Sequence, residues 1–520
     1  MNNPTFPYLF KRSIFPVMLL IASSQPLLPP PSVGANSGAS RKEAERLARF
    51  ENQVEQFRSL LKIPGLSAAI IRHQEVSWAK GFGYADMEKA VPAKPDTVYH
   101  IASLTKTFAA TILMQLVEQG KLDLDEPMSH YSSDFKDDKV KVKHLLSHTS
   151  GGTPGDRYAY DGAQYAYLTA VIEKKTGKPF RRLMAEIFLD PLKMSDSVPG
   201  RDVLTEANKQ SEIFRREKLN HYQAVLAKSA QPYRLYGEEA VHTGYGWGGI
   251  SAAAGLLTTA IDMAKFDIAI DDHVFLNKET QDRAWTPFVS NGGRPLPHGL
   301  GWFAQNHMGA RIIWHFGYDP DSFSATYVKV PDKSISLILL ANSDALSAPF
   351  VHGSVMKSSP LVTSFLRIFI IEDAEGHTLP DPNWAANAEG FSDEIARLKQ
   401  RAGGYSYDVE LASYKAMIKW LEDHRRQART AITIDPATYD AYVGQYQLPD
   451  GTIITLTRER DRLMVDIPNY VKSELFTATG LKYFLKTLDG DWAFVRNEEG
   501  GVTHIEVNQG GQVSILKKIK

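Results

Sequence analysis

One apolar segment that carries a serine and a lysine at helical spacing constrains this chain more than any other feature. Residues 99–102 lead into Ser103-Leu104-Thr105-Lys106, and residues 107–113 continue as an apolar helical run. Positions i and i+3 of a helix lie on one face, so the hydroxyl of Ser103 and the amine of Lys106 meet there. The pattern predicts a helix whose first turn presents a nucleophile and a base.

The spacing alone is not diagnostic. It occurs six times, starting at Ser59, Ser77, Ser103, Ser133, Ser354 and Ser514. Ser103 differs from the others because it opens a strongly apolar helix and has partners further along the chain. A lysine with an ordinary pKa of about 10.4 is well under one per cent free base at pH 7, so Lys106 needs burial to lower its pKa.

Composition excludes several classes of protein. The chain has 520 residues, of which 43% are hydrophobic and 23% charged, enough for two or three globular domains. The net charge of −1 offers no basic excess to neutralise phosphates, which argues against a nucleic-acid partner. The absence of cysteine excludes disulfides, thiolate metal sites and a cysteine nucleophile.

The N-terminus has the pattern of an export signal. Lys11-Arg12 precede an apolar stretch at residues 13–22, and a proline-rich stretch follows at 25–32. A charged segment followed by about ten apolar residues predicts a secretory signal, so we expect a periplasmic or secreted bacterial protein. The alternatives are a disordered tail or a short membrane anchor. Residues 1–40 are assigned to the signal and its linker.

Residues 41–375 have the mixed pattern of an α/β domain. We predict a helix at 41–62, a hairpin of strands at 66–72 and 76–84, a helix at 164–175, and a helix within 253–266 that opens after Gly255. A strand at 311–314, a tight turn at 315–317 and strands at 324–329 and 334–342 complete the domain. Residues 376–435 are polar and predict a helical connector.

Residues 436–520 have a different texture of short alternating runs separated by turn residues. Such runs are typical of a small antiparallel β-barrel or sandwich. We predict about eight strands, at residues 442–448, 452–458, 463–467, 474–478, 483–486, 493–496, 504–507 and 513–517. No catalytic constellation is evident in this segment.

Six segments between residues 45 and 350 resemble, in the correct order, the serine β-lactamase and penicillin-recognising superfamily. The resemblance is to its class C branch, which holds D-alanyl-D-alanine carboxypeptidases, class C β-lactamases, D-aminopeptidases and family VIII esterases. The similar segments are residues 96–108, His144-Leu145-Leu146-Ser147-His148-Thr149-Ser150-Gly151, Tyr160 with Tyr165 and Leu168, residues 254–262, His298-Gly299-Leu300-Gly301-Trp302, and His315-Phe316-Gly317.

The resemblance implies a fold and a set of roles. The fold is an α/β (α+β) sandwich, an antiparallel sheet flanked by helices with an all-helical subdomain. Ser103 is acylated, while Lys106 and Tyr160 share the proton transfer. The backbone N–H groups of Ser103 and Tyr318, which follows Gly317, form the oxyanion hole. His315 lines the pocket and helps to orient Tyr160 or a substrate carboxylate.

Two departures from the family pattern affect the expected activity. In Tyr160-Asp161-Gly162, Gly162 replaces the family's amide residue, and Asp161 substitutes only partly because its negative charge raises the pKa of Lys106. His315 replaces a lysine, and a mostly neutral imidazole attracts a carboxylate less than an ammonium does. Both departures disfavour an efficient β-lactamase and leave ester, amide or D-amino-acid peptide hydrolysis open.

The sequence therefore predicts a serine hydrolase that forms an acyl-enzyme. Its expected substrate is a small ester, amide or D-amino-acid-containing peptide, a peptidoglycan-derived ligand being one candidate, and no cofactor is expected. His144 and His148 have the spacing of a zinc pair, but Leu145 stands where a metalloprotease has its glutamate, so no metal is expected. Alternatives are a sensor acylated without turnover, a class C-like β-lactamase, and a scaffold whose barrel binds a partner. Oligomeric state is left open.

Overall fold

A computed structural model describes residues 37–371 and 432–520 of the chain. Within these ranges residues 211, 237–238, 247, 308–309, 351–358, 450, 469–471, 478–479, 481, 486–490, 498 and 510–511 are not described. Most of the predicted signal segment at 1–40 and most of the predicted connector at 376–435 lie outside the described residues. No helix of the described part is long and apolar enough to cross a membrane.

Twelve strands and eleven helices are described up to residue 371. The strands are β1 Gly65–Arg72, β2 Glu75–Asp86, β3 Val91–Pro92, β4 Tyr99–His100, β5 Val198–Pro199, β6 Tyr233–Tyr236, β7 Glu239–His242, β8 Leu256–Thr258, β9 Phe303–His307, β10 Ala310–Asp319, β11 Phe323–Val330 and β12 Ile335–Ala341. The helices are α1 Ser37–Leu60, α2 Thr105–Glu118, α3 Val142–Leu146, α4 Gly162–Ala166, α5 Leu168–Thr176, α6 Phe180–Leu183, α7 Glu206–Gln210, α8 Arg216–Leu226, α9 Ala260–Asp271, α10 Lys278–Ala284 and α11 Pro360–Leu366.

A seven-stranded antiparallel sheet with the order β3-β2-β1-β12-β11-β10-β9 forms the centre of this domain. Strands β11 and β12 are buried along their whole length, as a sheet covered on both faces requires. One face carries a core that includes Phe108 of α2 and Phe266 of α9. The other face carries a core that includes Phe50 of α1 and Phe365 of α11. The predicted antiparallel sheet flanked by helices is confirmed.

Two local predictions were wrong, and both concern glycines. Strand β10 runs through residues 315–317 without a turn, because Gly317 provides room for a neighbouring chain segment rather than a reversal. A Cβ atom at Gly317 would lie 2.0 Å from the carbonyl oxygen of Ile101. After Gly255 the chain forms strand β8, and helix α9 begins only at Ala260. Thr259 caps this helix by accepting a hydrogen bond from the N–H of Asp262 at 3.0 Å.

The helix predicted at 164–175 is present as two consecutive helices, α4 and α5. Tyr167 lies between them and has ordinary right-handed backbone angles. Gly177 ends α5 in the left-handed conformation with a φ of 68°, which a glycine adopts without strain.

Residues 444–518 form a closed antiparallel barrel of eight strands, as predicted. The strands are β13 Gly444–Gln447, β14 Ile453–Glu459, β15 Arg462–Asp466, β16 Ser473–Thr477, β17 Lys482–Leu485, β18 Asp491–Arg496, β19 Val502–Gln509 and β20 Gln512–Lys518. Alternate side chains such as Leu456, Leu463 and Ile505 fill the interior. Closure of the barrel by pairing of β13 with β20 leaves no unpaired strand edge.

Candidate active site

Ser103 lies in a short 3-10 turn, Ala102–Leu104, immediately before helix α2. The preceding strand β4 pairs with β8, which fixes the approach to this turn. Ala102 has a φ of 48°, in the left-handed region that alanine rarely adopts. Thr105 holds the turn by donating its hydroxyl to the carbonyl of Ala102 at 2.7 Å. Non-glycine residues in this region cost about 1–3 kcal/mol and cluster at functional sites.

Lys106 is completely buried, and its amine faces the Ser103 hydroxyl. The Nζ atom lies 2.8 Å from Ser103 Oγ and 2.9 Å from the carbonyl oxygen of Ala253. Burial lowers the pKa of Lys106 from 10.5 to about 7, and the negative charge of Asp161 opposes this fall. A large fraction of Lys106 is therefore neutral near pH 7 and able to accept the serine proton.

Two other copies of the Ser-x-x-Lys pattern, those at Ser133 and Ser77, do not form such a pair. Lys136 donates to the backbone carbonyl of Ser133 at the exposed surface. Ser77 donates its hydroxyl to the carbonyl of Ile70, while Lys80 forms an ion pair with Glu51. The pair at Ser103 differs from these copies because Lys106 is buried and its amine contacts the serine hydroxyl.

Tyr160 borders the same amine. Lys106 Nζ lies 5.1 Å from the centre of the Tyr160 ring and 5.2 Å from that of Tyr165. Burial raises the pKa of Tyr160, and the nearby Ser103 hydroxyl partly offsets the rise, although the two hydroxyls do not meet the geometry of a hydrogen bond. The phenol is therefore protonated at neutral pH and suited to donating a proton to a leaving group.

Three buried histidines, His148, His298 and His315, pack near Tyr160 and one another, and their imidazole rings are neutral. His315 donates from Nδ1 to the carbonyl of Phe316 at 2.7 Å, and His298 donates from Nδ1 to that of Gly299 at 2.9 Å. Burial lowers the pKa of His298 to about 3 and those of His315 and His148 well below the usual 6.5. His315 thus supplies no fixed positive charge to a substrate carboxylate.

Gly162, one of the two departures from the family pattern, and its neighbour Asp161 both lie near the Lys106 amine. A Cβ atom at Gly162 would lie 3.9 Å from Lys106 Nζ, so a side chain there would contact the amine. Asp161 does not replace the missing amide directly, because its Oδ1 accepts a hydrogen bond from the N–H of Gln164 and caps helix α4. The charge of Asp161 still raises the pKa of Lys106, as the sequence predicted.

Strand β10 brings its last residues alongside the nucleophile turn. Strand β9 pairs only with the first half of β10, up to Trp314, and residues 315–319 continue beyond it. The segment after Tyr318 is anchored by Asp344, whose Oδ2 accepts from the N–H of Asp321 at 2.9 Å. Burial raises the pKa of Asp344 to about 7, and this hydrogen bond opposes the rise. The oxyanion-hole roles of Ser103 and Tyr318 stay predictions.

Sequence reasoning missed two functional contacts. The backbone carbonyl of Ala253 accepts from Lys106, and a carbonyl oxygen has no sequence signature. His148 packs on Tyr160 with ring centres 4.3 Å apart, a contact that the spacing of His144 and His148 does not predict. The described residues contain no group of three or more histidine, aspartate or glutamate side chains arranged for a metal ion. His144 uses Nδ1 to accept from the N–H of Lys141.

Comparison with known proteins agrees with this geometry. A family model described as Beta-lactamase matches residues 50–352, which hold every site residue discussed above. The chain belongs to the β-lactamase family. A second model, described as a domain of unknown function (DUF3471), matches residues 428–515 and so covers the barrel.

Individual relatives are distant. The chain is 24% identical over 484 residues to Penicillin-binding protein 4* of Bacillus subtilis (strain 168), covering 85% of this chain and 92% of that protein. It is 25% identical over 300 residues to the Putative penicillin-binding protein PbpX of the same organism, covering 50% and 68%. An octameric penicillin-binding protein homologue from Pyrococcus abyssi has a TM-score of 0.49 at 19% identity, covering 91% of this chain and all of that one.

Proposed function

We propose that the protein is a serine hydrolase that works through an acyl-enzyme on a small ester or on an amide or peptide containing a D-amino acid. The observation that carries the proposal is the contact of 2.8 Å between Ser103 Oγ and an amine that is wholly buried and has a pKa of about 7. A surface lysine would be charged at neutral pH and would not serve as a base.

The proposed reaction has two steps. Ser103 Oγ attacks the substrate carbonyl carbon while its proton passes to neutral Lys106, and Tyr160 donates a proton to the departing alcohol or amine. Lys106 then returns a proton to the Tyr160 oxygen, which leaves an acyl-serine and a neutral site. Water attacks the acyl-serine, its proton is taken by the same pair, and the acid leaves as Ser103 regains its hydrogen.

The chemistry around the pair favours neutral substrates over carboxylate-bearing ones. His315 is uncharged, and Gly162 offers no amide to a substrate's amide group. An ester needs less help with its leaving group than an amide does, so esters are the first substrates to test. The names of the B. subtilis relatives record penicillin binding, which makes a penicillin a second probe.

A second candidate is a sensor that is acylated but turns over slowly. Gly162 favours it, because position 162 supplies no polar side chain next to Lys106 that would help to place the hydrolytic water. The two candidates share the acylation step and differ only in release of the acyl group. Export to the periplasm or out of the cell, predicted from residues 1–40, is part of either proposal.

The test compares wild type with Ser103→Ala and with a matched control, Ser133→Ala, which removes the exposed serine of another Ser-x-x-Lys copy. The assays are steady-state hydrolysis of a chromogenic short-chain ester and of a D-alanine anilide, and labelling with a fluorophosphonate and a fluorescent penicillin. Mass spectrometry then locates the label.

We expect many turnovers per molecule and a label on Ser103 in wild type and Ser133→Ala, and neither in Ser103→Ala. A single burst that equals the enzyme concentration, with no later turnover, would establish the sensor instead. Absence of any label on Ser103 by both probes would refute both candidates.

A further inference from the structure

The Tyr160 phenol has little of its own to hold it in place. Among the described residues its hydroxyl forms no hydrogen bond. Its ring stacks on His148 at 4.3 Å and on Phe316 at 5.4 Å, so the position of the hydroxyl depends on these rings and on the backbone. A proton donor that must face Lys106 therefore relies on its neighbours for alignment.

His148 contacts the segment Ala159–Asp161, which carries Tyr160, at three points. Its carbonyl accepts a hydrogen bond from the N–H of Ala159 at 2.8 Å, and its Nδ1 accepts from the N–H of Asp161 at 3.1 Å. These two residues precede and follow Tyr160 directly. With the stacked ring as the third contact, one residue fixes both the backbone on each side of Tyr160 and the plane of the phenol.

The backbone of His148 is itself unusual. Its φ of 53° lies in the left-handed region, and it follows directly after helix α3 and Ser147. A strained conformation persists when the surrounding structure determines it, and such residues cluster at functional sites. At this angle the carbonyl and the side chain of one residue both reach the Tyr160 segment, which accounts for the strained geometry.

We propose that His148 is the positioning residue of Tyr160, holding Ala159 and Asp161 by hydrogen bonds and the phenol ring by stacking so that the hydroxyl faces Lys106 and Ser103. The inference rests on the proposed hydrolase function, since alignment of Tyr160 matters only if the phenol transfers a proton. It extends that function by assigning to the His148 side chain the geometry of proton transfer.

Because Nδ1 accepts from a backbone N–H, the ring carries its proton on Nε2. The groups that face His148 are His298 at 4.9 Å between ring centres, Tyr165 at 5.2 Å and Tyr158 at 6.1 Å, with Lys106 and His315 also nearby. A protonated imidazole would lose the bond to Asp161. Buried surroundings and these neighbours keep the ring neutral.

Two substitutions separate the contributions. His148→Asn keeps an acceptor oxygen near the position of Nδ1 and tolerates the left-handed backbone, but it loses the ring. His148→Ala loses both. The matched control is His144, whose Nδ1 also accepts from a backbone N–H, that of Lys141 at 3.1 Å, without contact to Tyr160. The same two changes are made there.

With the chromogenic ester, we expect kcat to fall about 100-fold in His148→Ala and about 10-fold in His148→Asn, with KM within about threefold of wild type. We expect the His144 variants to keep the wild-type kcat per folded molecule, even where their melting temperature falls as far as that of the His148 variants. A folded His148→Ala with wild-type kcat would overturn the inference. Equal losses of activity in the His144 and His148 variants, in proportion to the fraction of folded protein, would also overturn it. If His148→Ala does not fold, the kcat of His148→Asn tests the inference.

Failure of the hydrolase proposal is distinguishable from failure of this one. If wild type shows neither turnover nor a label on Ser103, the function is wrong, and crystal structures of wild type and His148→Ala then decide the positioning role. Displacement of the Tyr160 hydroxyl by more than about 1 Å relative to Lys106 Nζ supports that role, and an unmoved phenol refutes it.

Discussion

Replacing Lys106 by methionine is expected to abolish activity and to stabilise the fold. Methionine matches the length of the lysine chain and packs readily in an apolar site. The lysine is completely buried, and its pKa of about 7 shows that the interior disfavours its charged form. Lys106, the base of the proposed reaction, therefore lowers the free energy of unfolding of the protein.

The size of the effect follows from the pKa of Lys106. A fall from 10.5 to about 7 corresponds to about 5 kcal/mol of lost stability where the amine is protonated in both states. The substitution also removes the hydrogen bonds to Ser103 Oγ and Ala253 O and leaves a buried carbonyl unpaired, which costs about 1–3 kcal/mol. We expect a net gain of about 2–4 kcal/mol below pH 7.

The gain depends on pH with a definite sign. The pKa of Lys106 is lower in the folded state than in the unfolded state, so the unfolded chain binds more protons between about pH 7 and 10.5. Wild-type stability therefore rises through this window by about 1.4 kcal/mol per pH unit, and Lys106→Met lacks this rise. The advantage of the variant shrinks with pH and disappears near about pH 9.

The measurement is unfolding by heat or urea at pH 6, 7, 8 and 9, with activity assayed in parallel. Lys136→Met is the control, since this lysine has the same spacing to a serine but is exposed. The control should show no pH-dependent difference from wild type. A Lys106→Met protein that is less stable than wild type at pH 6, or a difference that is the same at pH 6 and 9, would contradict a buried amine of lowered pKa.

Three further substitutions test the surroundings of the amine. Asp161→Asn keeps a helix cap but removes the charge that raises the pKa of Lys106, so the acid limb of the pH profile of kcat/KM should move below about pH 7. Gly162→Asn places a side chain in ordinary contact with the amine, its Cβ 3.9 Å from Nζ, and should raise the ratio of amide to ester kcat/KM by about tenfold or more, measured on matched substrates. Gly317→Ala would put a Cβ 2.0 Å from the carbonyl oxygen of Ile101, just before the nucleophile turn, and should lower kcat about 100-fold and the melting temperature by several degrees. The control is the exposed Gly292→Ala, whose Cβ would have no atom closer than 3.9 Å and which should change neither quantity.

Periodic segments were predictable from the sequence because their burial pattern is local. The eight barrel strands follow alternating runs bounded by turn residues, and β1 is a short, nearly continuous apolar run that a hairpin turn separates from β2. The pairing of Ser103 with Lys106 was predictable for a similar reason, because helical spacing brings the two groups together without reference to the rest of the fold.

Glycines and long-range contacts were not predictable in this way. A glycine inside an apolar run indicates either a turn or a close approach of another backbone, and only the tertiary structure decides which. Gly317 and Gly255 were assigned to a turn and a helix start, but each gives room to a neighbouring carbonyl, 2.0 Å and 2.2 Å from the position of a Cβ. The burial of Lys106 likewise depends on segments about 150 residues away, such as Ala253.

The segment from Ala253 to Leu256 carries no reactive side chain, yet it holds the nucleophile turn from both sides. The carbonyl of Ala253 accepts from Lys106, the carbonyl of Leu256 accepts from the N–H of Ile101 at 3.0 Å, and the N–H of Leu256 donates to Thr105 Oγ1 at 3.1 Å. The left-handed turn that presents Ser103 is thus fixed at its start, at its end and at the lysine. Because all three contacts come from one short backbone stretch, a shift of that stretch would misplace nucleophile and base together.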